Sequence, residues 1–268
     1  MTERKDLNGL TEKEFLEKYT DTVYDKPSVT TDILVLGVDE TFAHLKALLI
    51  KRDEHPYLGF YALPGGFIKK DETAYQAAAR KLSEEAGIKD VYLDQIYTFT
   101  RPGRDPRTWV MSIAYLALVG DVSEIKTTGE WFDLEFEDDK IRLYNDESGA
   151  EIVYPVSVKR FKNGRIEYEN RVALDKGKSE KLAFDHVEII IESIMKLRTF
   201  FENSDLAFNM AGETFTLPDL QALYELVLGK KFYKTNFRAL VAPKIEATGE
   251  KIKSRTSNKM SAEYRYIG

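Results

Sequence analysis

A mixed α/β fold in two successive units, a larger one over residues 31–204 and a smaller one over 205–268, is what the sequence predicts. Three observations predict it. Apolar runs with strand-like alternation are interleaved with helix-patterned segments through the first two hundred residues. Charge is divided unevenly: the overall net is −6, yet Gly229–Gly268 holds ten Lys or Arg against three Glu, a local +7 that leaves −13 for everything before it. With 268 residues, 43% hydrophobic and 31% charged, the chain has room for one large or two small cores. The chain has no cysteine, which excludes disulfides and thiolate metal sites. Its three histidines (His44, His55, His186) are too scattered for a histidine-rich site. The polar N-terminus and the lack of any long apolar stretch predict a cytoplasmic protein without membrane segments.

In chain order, residues 1–30 read as an N-terminal arm. Thr11 followed by Glu14 forms a capping-box start for a short helix. Thr31–Val38 and Leu45–Arg52 read as strands joined by a polar turn at Asp39-Glu40. A helix follows around residues 74–86, with Ala78, Leu82 and Ala86 on its inner face. Val91–Phe99 and Thr108–Val119 are strand-like and flank the loop Arg101–Arg107, and Trp131-Phe132 opens another strand. Residues from about 138 to 180 look like an insertion with its own hairpins, marked by Asn163-Gly164 between alternating segments. From Asp185 to Arg198 the residues Val187, Ile190, Ile191, Ile194 and Leu197 recur at helical spacing, as a core stripe. Thr216, Pro218 and Gly229 punctuate a further helix at its cap, first turn and end.

Residues Gly66–Ile88 carry the chemistry. Gly66, Glu72, Arg80, Glu84, Glu85, Gly87 and Ile88 fall at the spacing G-x5-E-x7-R-E-U-x-E-E-x-G-U, with one departure, Lys81 in place of the Glu after Arg80. By itself the stretch is an amphipathic helix, but that leaves the preceding Pro64-Gly65-Gly66 turn unexplained. The pattern resembles the Nudix box. The resemblance implies an α/β/α sandwich around a mixed sheet, a pocket beside the glycine turn, and Mg²⁺ held by helix carboxylates. Positions 81, 84 and 85 share one helix face. Lys81 lowers the formal charge there from −3 to −1, a poor set for a hard divalent cation that wants several oxygen ligands. Glu84 and Glu85 therefore remain as degenerate catalytic and weak Mg²⁺-binding carboxylates, or else pair with Lys81 and Arg80. An ammonium at 81 can partly stand in for a metal and attract a diphosphate, but it cannot activate water as a metal does.

A second resemblance starts at Phe215. Phe215–Gly229 followed by Tyr233–Arg238 is similar to the winged-helix domain that ends the NrtR family of Nudix-related transcriptional regulators. It implies a recognition helix over about 234–246 and a basic wing from Glu250 onward. Lys234, Arg238, Lys253, Arg255 and Lys259 are the DNA-binding candidates, with Lys230, Lys231 and Arg265 as further phosphate partners. Asn236 and Arg238 suit base edges, although Asn236 serves equally as a helix cap.

The combined resemblance implies a homodimeric regulator that binds a double-stranded DNA operator and senses ADP-ribose or a related nucleotide sugar. Arg52, Arg104 and Arg107 are candidate phosphate or ribose partners, because guanidinium forks match phosphate oxygens. Asp105 is a candidate for ribose hydroxyls and Gly66 for close ligand approach. The alternative for Arg104-Asp105-Pro106-Arg107 is a surface turn with a local ion pair. Arg80 is divided between the ligand and Glu84, and Glu72 between supporting the site and helix-terminal charge. The competing function is a Mg²⁺-dependent Nudix hydrolase cleaving ADP-ribose-type diphosphates; a non-DNA interaction module is disfavoured by the basic C-terminus.

Overall fold

The computed structural model describes residues 4–19, 24–137, 139–173 and 182–268. Helix α1 (Glu12–Lys18) starts with the expected reciprocal cap: Thr11 Oγ1 accepts from the Glu14 N–H and Glu14 accepts from the Thr11 N–H. None of its residues is buried. Strands β1 (Ser28–Val38), β2 (Leu45–Lys51), β3 (Tyr61–Ala62) and β4 (Gly65–Phe67) lead into α2 (Ala74–Ala86). Strands β5 (Tyr92–Phe99), β6 (Val110–Asp121), β7 (Glu130–Phe136), β8 (Lys140–Asn145), β9 (Ala150–Asn163) and β10 (Ile166–Ala173) follow, then α3 (His186–Asn203).

These strands form one mixed sheet in the order β10-β9-β8-β7-β2-β1-β6-β5, with β3 beside β2 and β4 beside β1. Only the β1–β6 pair is parallel among the described ladders of this sheet. Buried on both faces, β1 sorts its residues by parity. Ile33 and Val35 join Ala78, Leu82 and Ala86 of α2 on one side, while Leu34 and Leu36 join Ile190, Ile194 and Leu197 of α3 on the other. This is the expected α/β/α sandwich. Each such Leu or Ile contributes roughly 1.5–3 kcal/mol by leaving water.

The segment expected to be an insertion with its own hairpins forms antiparallel hairpins that are continuous with the sheet: β8 pairs with β7 and with Ala150–Pro155 of β9, and the rest of β9 pairs with β10. The outer edge of β7 supplies backbone groups that need partners, and β8 satisfies them. Only the distal β9–β10 hairpin is solvated, turning at Gly164 with φ +61. Residues 138 and 174–180 of the expected insertion lie outside the described residues.

Helix α4 (Phe208–Ala211) and strand β11 (Thr214–Thr216) precede α5 (Leu217–Leu228), which Thr216 caps through the Asp219 N–H and Gly229 ends at φ +66. Helix α6 (Lys234–Val241) stops short of the expected residue 246. Pro243 lacks an N–H and diverts the chain into a 3-10 turn, Ala242–Lys244. Strands β12 (Ile245–Lys253) and β13 (Met260–Tyr266) then form a hairpin that β11 joins through β13. Leu220, Leu223, Tyr224, Phe237 and Val241 belong to the same apolar cluster as Leu197 and Phe201 of α3, so α3 serves both cores. Among the described residues no helix is long and apolar enough to cross a membrane.

Candidate functional site

A cavity of about 510 Å³ opens where the end of β2, strand β4, the C-terminal half of α2, the 104–107 loop and the start of α3 converge. Arg52 and Arg107 supply its accessible guanidinium groups. Arg52 is aimed by donation from Nε to the Pro56 carbonyl at 2.8 Å. Arg107 is aimed by Asp105, which accepts from its Nε at 3.0 Å and its terminal nitrogen at 2.7 Å. Both guanidiniums lie against the ring of Phe184, at 5.1 and 5.7 Å, and Arg107 also faces Phe67 at 5.3 Å. Phe184 has φ +54, an uncommon conformation for an aromatic residue. Its ring meets Tyr57 edge-on at 4.8 Å.

Beneath these residues lies a buried charged network. Arg104 grips Asp185 through two hydrogen bonds, 2.9 and 2.6 Å, and reaches Asp32 at 3.3 Å. Ser112 also donates to Asp32. His186 accepts from the Leu63 N–H at Nδ1, 2.9 Å, so its ring proton sits on Nε2, 3.6 Å from Asp32 Oδ1. Burial alone raises the Asp32 carboxyl, but His186, Ser112 and Arg104 outweigh it and hold it down to about 2.

Two sequence expectations change here. Arg104 lines the cavity, but its guanidinium is buried and engaged by Asp185 and Asp32, because a charge removed from water requires compensation. It positions the loop. Asp105 is likewise buried and both its oxygens serve Arg107, so it does not offer a free acceptor for ribose. Burial alone raises its carboxyl, but the hydrogen bonds and charge of Arg107 outweigh it and lower it on balance. Asp32, Asp185, Phe184 and His186 were not singled out as site residues. The available signal is Leu182–His186, which sets Asp185 and His186 at the start of the apolar helix.

On α2, Glu85 Oε1 lies 2.7 Å from Lys81 Nζ and Oε2 accepts from the Gly65 N–H at 3.0 Å. Lys81 also lies 3.7 Å from Glu84. Arg80 is held by Glu72 at 2.5 Å and Glu84 at 3.1 Å and does not line the cavity, which corrects its candidate ligand role. Hydrogen bonds from Arg80 draw the Glu72 carboxyl down to about 2. Both carboxylates expected for weak Mg²⁺ binding thus already face cations of their own helix. No cluster of three or more acidic or His side chains suited to a metal occurs among the described residues, and this donor set does not fit a hard divalent ion.

In the basic unit, Phe237 and Val241 anchor α6 while Lys234, Asn236 and Arg238 face solvent. The helix begins after Tyr233, so Asn236 lies inside the first turn and does not cap it. Lys253 at the end of β12 and Lys259 just before β13 are also exposed. Arg255 departs from expectation: it bonds Asp121 at the end of β6 at 3.0 Å and lies 5.4 Å from the Phe42 ring. Its turn is fixed by Asp219, which accepts from Ser254 Oγ at 2.8 Å and the Thr256 N–H at 3.0 Å. Lys230, Lys231 and Arg265 are paired with Glu202, Glu225 and Glu246, which lowers their value as phosphate partners.

Residues 26–148 match the NUDIX domain, and residues 207–266 match the NrtR DNA-binding winged helix domain. The chain is 28% identical over 234 residues to the ADPR responsive transcriptional repressor NtrR of Acinetobacter baylyi, covering 87% of this chain and 79% of that protein. It is 36% identical over 127 residues to the ADP-ribose pyrophosphatase of Methanocaldococcus jannaschii, covering 47% of this chain and 69% of that one. The solved structure of Shewanella oneidensis NrtR complexed with a 27mer DNA superposes with a TM-score of 0.62 at 26% identity, over 89% of this chain and 93% of that one.

Proposed function

The chain belongs to the Nudix family, with an NrtR-type winged helix at its C-terminus, and on that footing we propose that it is a cytoplasmic, DNA-binding transcriptional repressor responsive to ADP-ribose. The observation that carries this reading is a division of labour within one chain. The Nudix carboxylates face cations of their own helix, while α6 presents Lys234, Asn236 and Arg238 to solvent. A pocket built to hold a ligand without turning it over, joined to a basic helix, suits a sensor.

Arg52 and Arg107 grip the diphosphate as charge-assisted donors. Phe184 and Phe67 offer aromatic faces for the base, and Arg104, locked by Asp185, keeps the 104–107 loop in place. Lys234 and Arg238 contact the DNA with Lys253 and Lys259 of the wing. The protein works as a homodimer, since a two-fold protein matches an operator with two half-sites. The DNA-binding and ADP-ribose-responsive parts of this reading are supported by the similarity to the ADPR responsive repressor of Acinetobacter baylyi and to Shewanella oneidensis NrtR, solved with a 27mer DNA.

The test is fluorescence anisotropy on duplexes selected from a random pool, titrated with and without ADP-ribose, beside a hydrolysis assay with Mg²⁺. Specific binding that ADP-ribose weakens, with little or no turnover, is expected. Absence of affinity for any duplex at low salt, or robust ADP-ribose cleavage lost on Glu85→Gln, sinks the reading in favour of a hydrolase.

A further inference from the structure

We infer that Lys81 replaces the divalent cation of the pocket: its ammonium is a resident counter-charge for the ligand's diphosphate, and binding needs no metal. This rests on the nucleotide-sugar reading above and concerns the same cavity.

Three observations carry it. Lys81 does not point away into water as an ordinary helix lysine does. Its side chain is 21% exposed, it lines the cavity, and its Nζ is held 2.7 Å from Glu85 and 3.7 Å from Glu84. The ammonium therefore occupies the space between carboxylates that a cation would share. An ammonium has three donors and these two carboxylates satisfy at most two of them, so a donor remains for a phosphate oxygen.

The second observation is the path by which the side chain gets there. Lys81 runs against Gly66 of β4, where a Cβ would collide with Cε of the lysine. Gly66 does not sit at positive φ, so backbone freedom is not the reason for glycine at this position. Glycine provides room for the lysine. Gly66, expected from the sequence to allow close approach of a ligand, lies directly against Lys81.

Third, the lining of the cavity is balanced, with five Lys or Arg against five Asp or Glu, and its one histidine, His186, carries its proton on Nε2. A glutamate at position 81 would leave two carboxylates in excess, before a diphosphate brings its own negative charge. Such a pocket requires a metal; the pocket with Lys81 does not. The same substitution explains binding without turnover, because an ammonium cannot lower the pKa of a water molecule as a metal ion does.

Calorimetry on the full chain decides the matter, with ADP-ribose and separately with inorganic pyrophosphate, each in EDTA and in Mg²⁺. The wild-type affinity is expected to be the same in both buffers within about twofold, as it must be when no metal joins the complex. Lys81→Met should weaken binding on the order of ten- to a hundredfold, the range of a lost charged hydrogen bond. Lys81→Glu should bind poorly in EDTA and recover in Mg²⁺. Gly66→Ala keeps every charge and displaces only the flexible end of Lys81, so an affinity loss in this variant, with an unchanged melting curve, separates the role of the ammonium from fold damage. Wild-type binding that requires Mg²⁺, or Lys81→Met and Gly66→Ala both binding like wild type, overturns the inference. Metal-free binding of pyrophosphate but not ADP-ribose, lost in both variants, would keep the role of Lys81 and overturn the effector assignment. Failure of both probes to bind overturns both.

Discussion

Asp32 is the residue on which the buried network converges, with Ser112, Arg104 and His186 around its two oxygens. Because its folded pKa is depressed to about 2, it contributes stability that is fully present above the unfolded value near 4 and is lost as pH falls through the folded value. A shift of this size in a buried group corresponds to on the order of 2 kcal/mol. Chemical denaturation of the wild type and Asp32→Asn at a series of pH values between about 6 and 2 should show the stability gap narrowing toward the acid end. A gap independent of pH over that window would mean that Asp32 keeps its unfolded-state pKa. At this scale the sequence was informative about residue type and poor about burial. Arg52 and Arg107 were selected for their guanidiniums and do reach the cavity. Arg104 was selected by the same argument, yet its partners Asp32 and Asp185 lie 72 and 81 positions away in the chain. Such pairings are set by topology and leave no local pattern.

Elements were more readable than pairings because their signals are local. The caps at Thr11 and Thr216 and the αL glycine at 229 lie within a few residues of the backbone groups they satisfy. The inward stripes of α2 and α3 follow from helical period alone. Attachment of β8 and β9 to the sheet was not readable, since strand alternation says that a strand has a buried face without naming its neighbour. The end of α6 was readable only from Pro243. For DNA recognition, α6 and the wing make different predictions. Lys253 and Lys259 extend from the hairpin as simple cations, so replacing both with Ala should weaken all sequences alike and flatten the salt dependence by about two contacts. Arg238 lies on the exposed face of α6. Its replacement by Ala should cost about 1–3 kcal/mol and relax preference at one base pair. Salt-dependent anisotropy on the selected duplex and on single-base variants measures both. A uniform loss from Arg238→Ala across all duplexes would reassign it to the phosphate backbone.

At the scale of the whole molecule, two of the connections between the Nudix unit and the DNA-binding unit bear on coupling. Helix α3 has His186 in the pocket network at its first turn, while Leu197 and Phe201 farther along share a core with Leu223 and Tyr224. Arg198 of the same helix donates to the Val227 carbonyl of α5 at 2.9 Å. The second connection is Arg255, which ties the turn of the wing to Asp121 at the end of β6. A ligand shifts DNA affinity only if it binds the DNA-competent and DNA-incompetent arrangements unequally. The expected coupling of about 1–3 kcal/mol changes operator affinity roughly 5–150-fold, and by linkage the operator changes ADP-ribose affinity by the same factor. Calorimetry of ADP-ribose on the free protein and on its DNA complex gives that ratio directly. Arg255→Ala should leave ADP-ribose affinity of the free protein within about twofold, since Arg255 is remote from the cavity lining, while moving the ratio toward one. The ratio is the decisive quantity because Arg255 belongs to the wing, and a change in DNA affinity alone is open to a lost phosphate contact. A wild-type ratio of one would end the case for coupling, whereas an unchanged ratio in Arg255→Ala would exclude the tie between wing and β6 as its carrier.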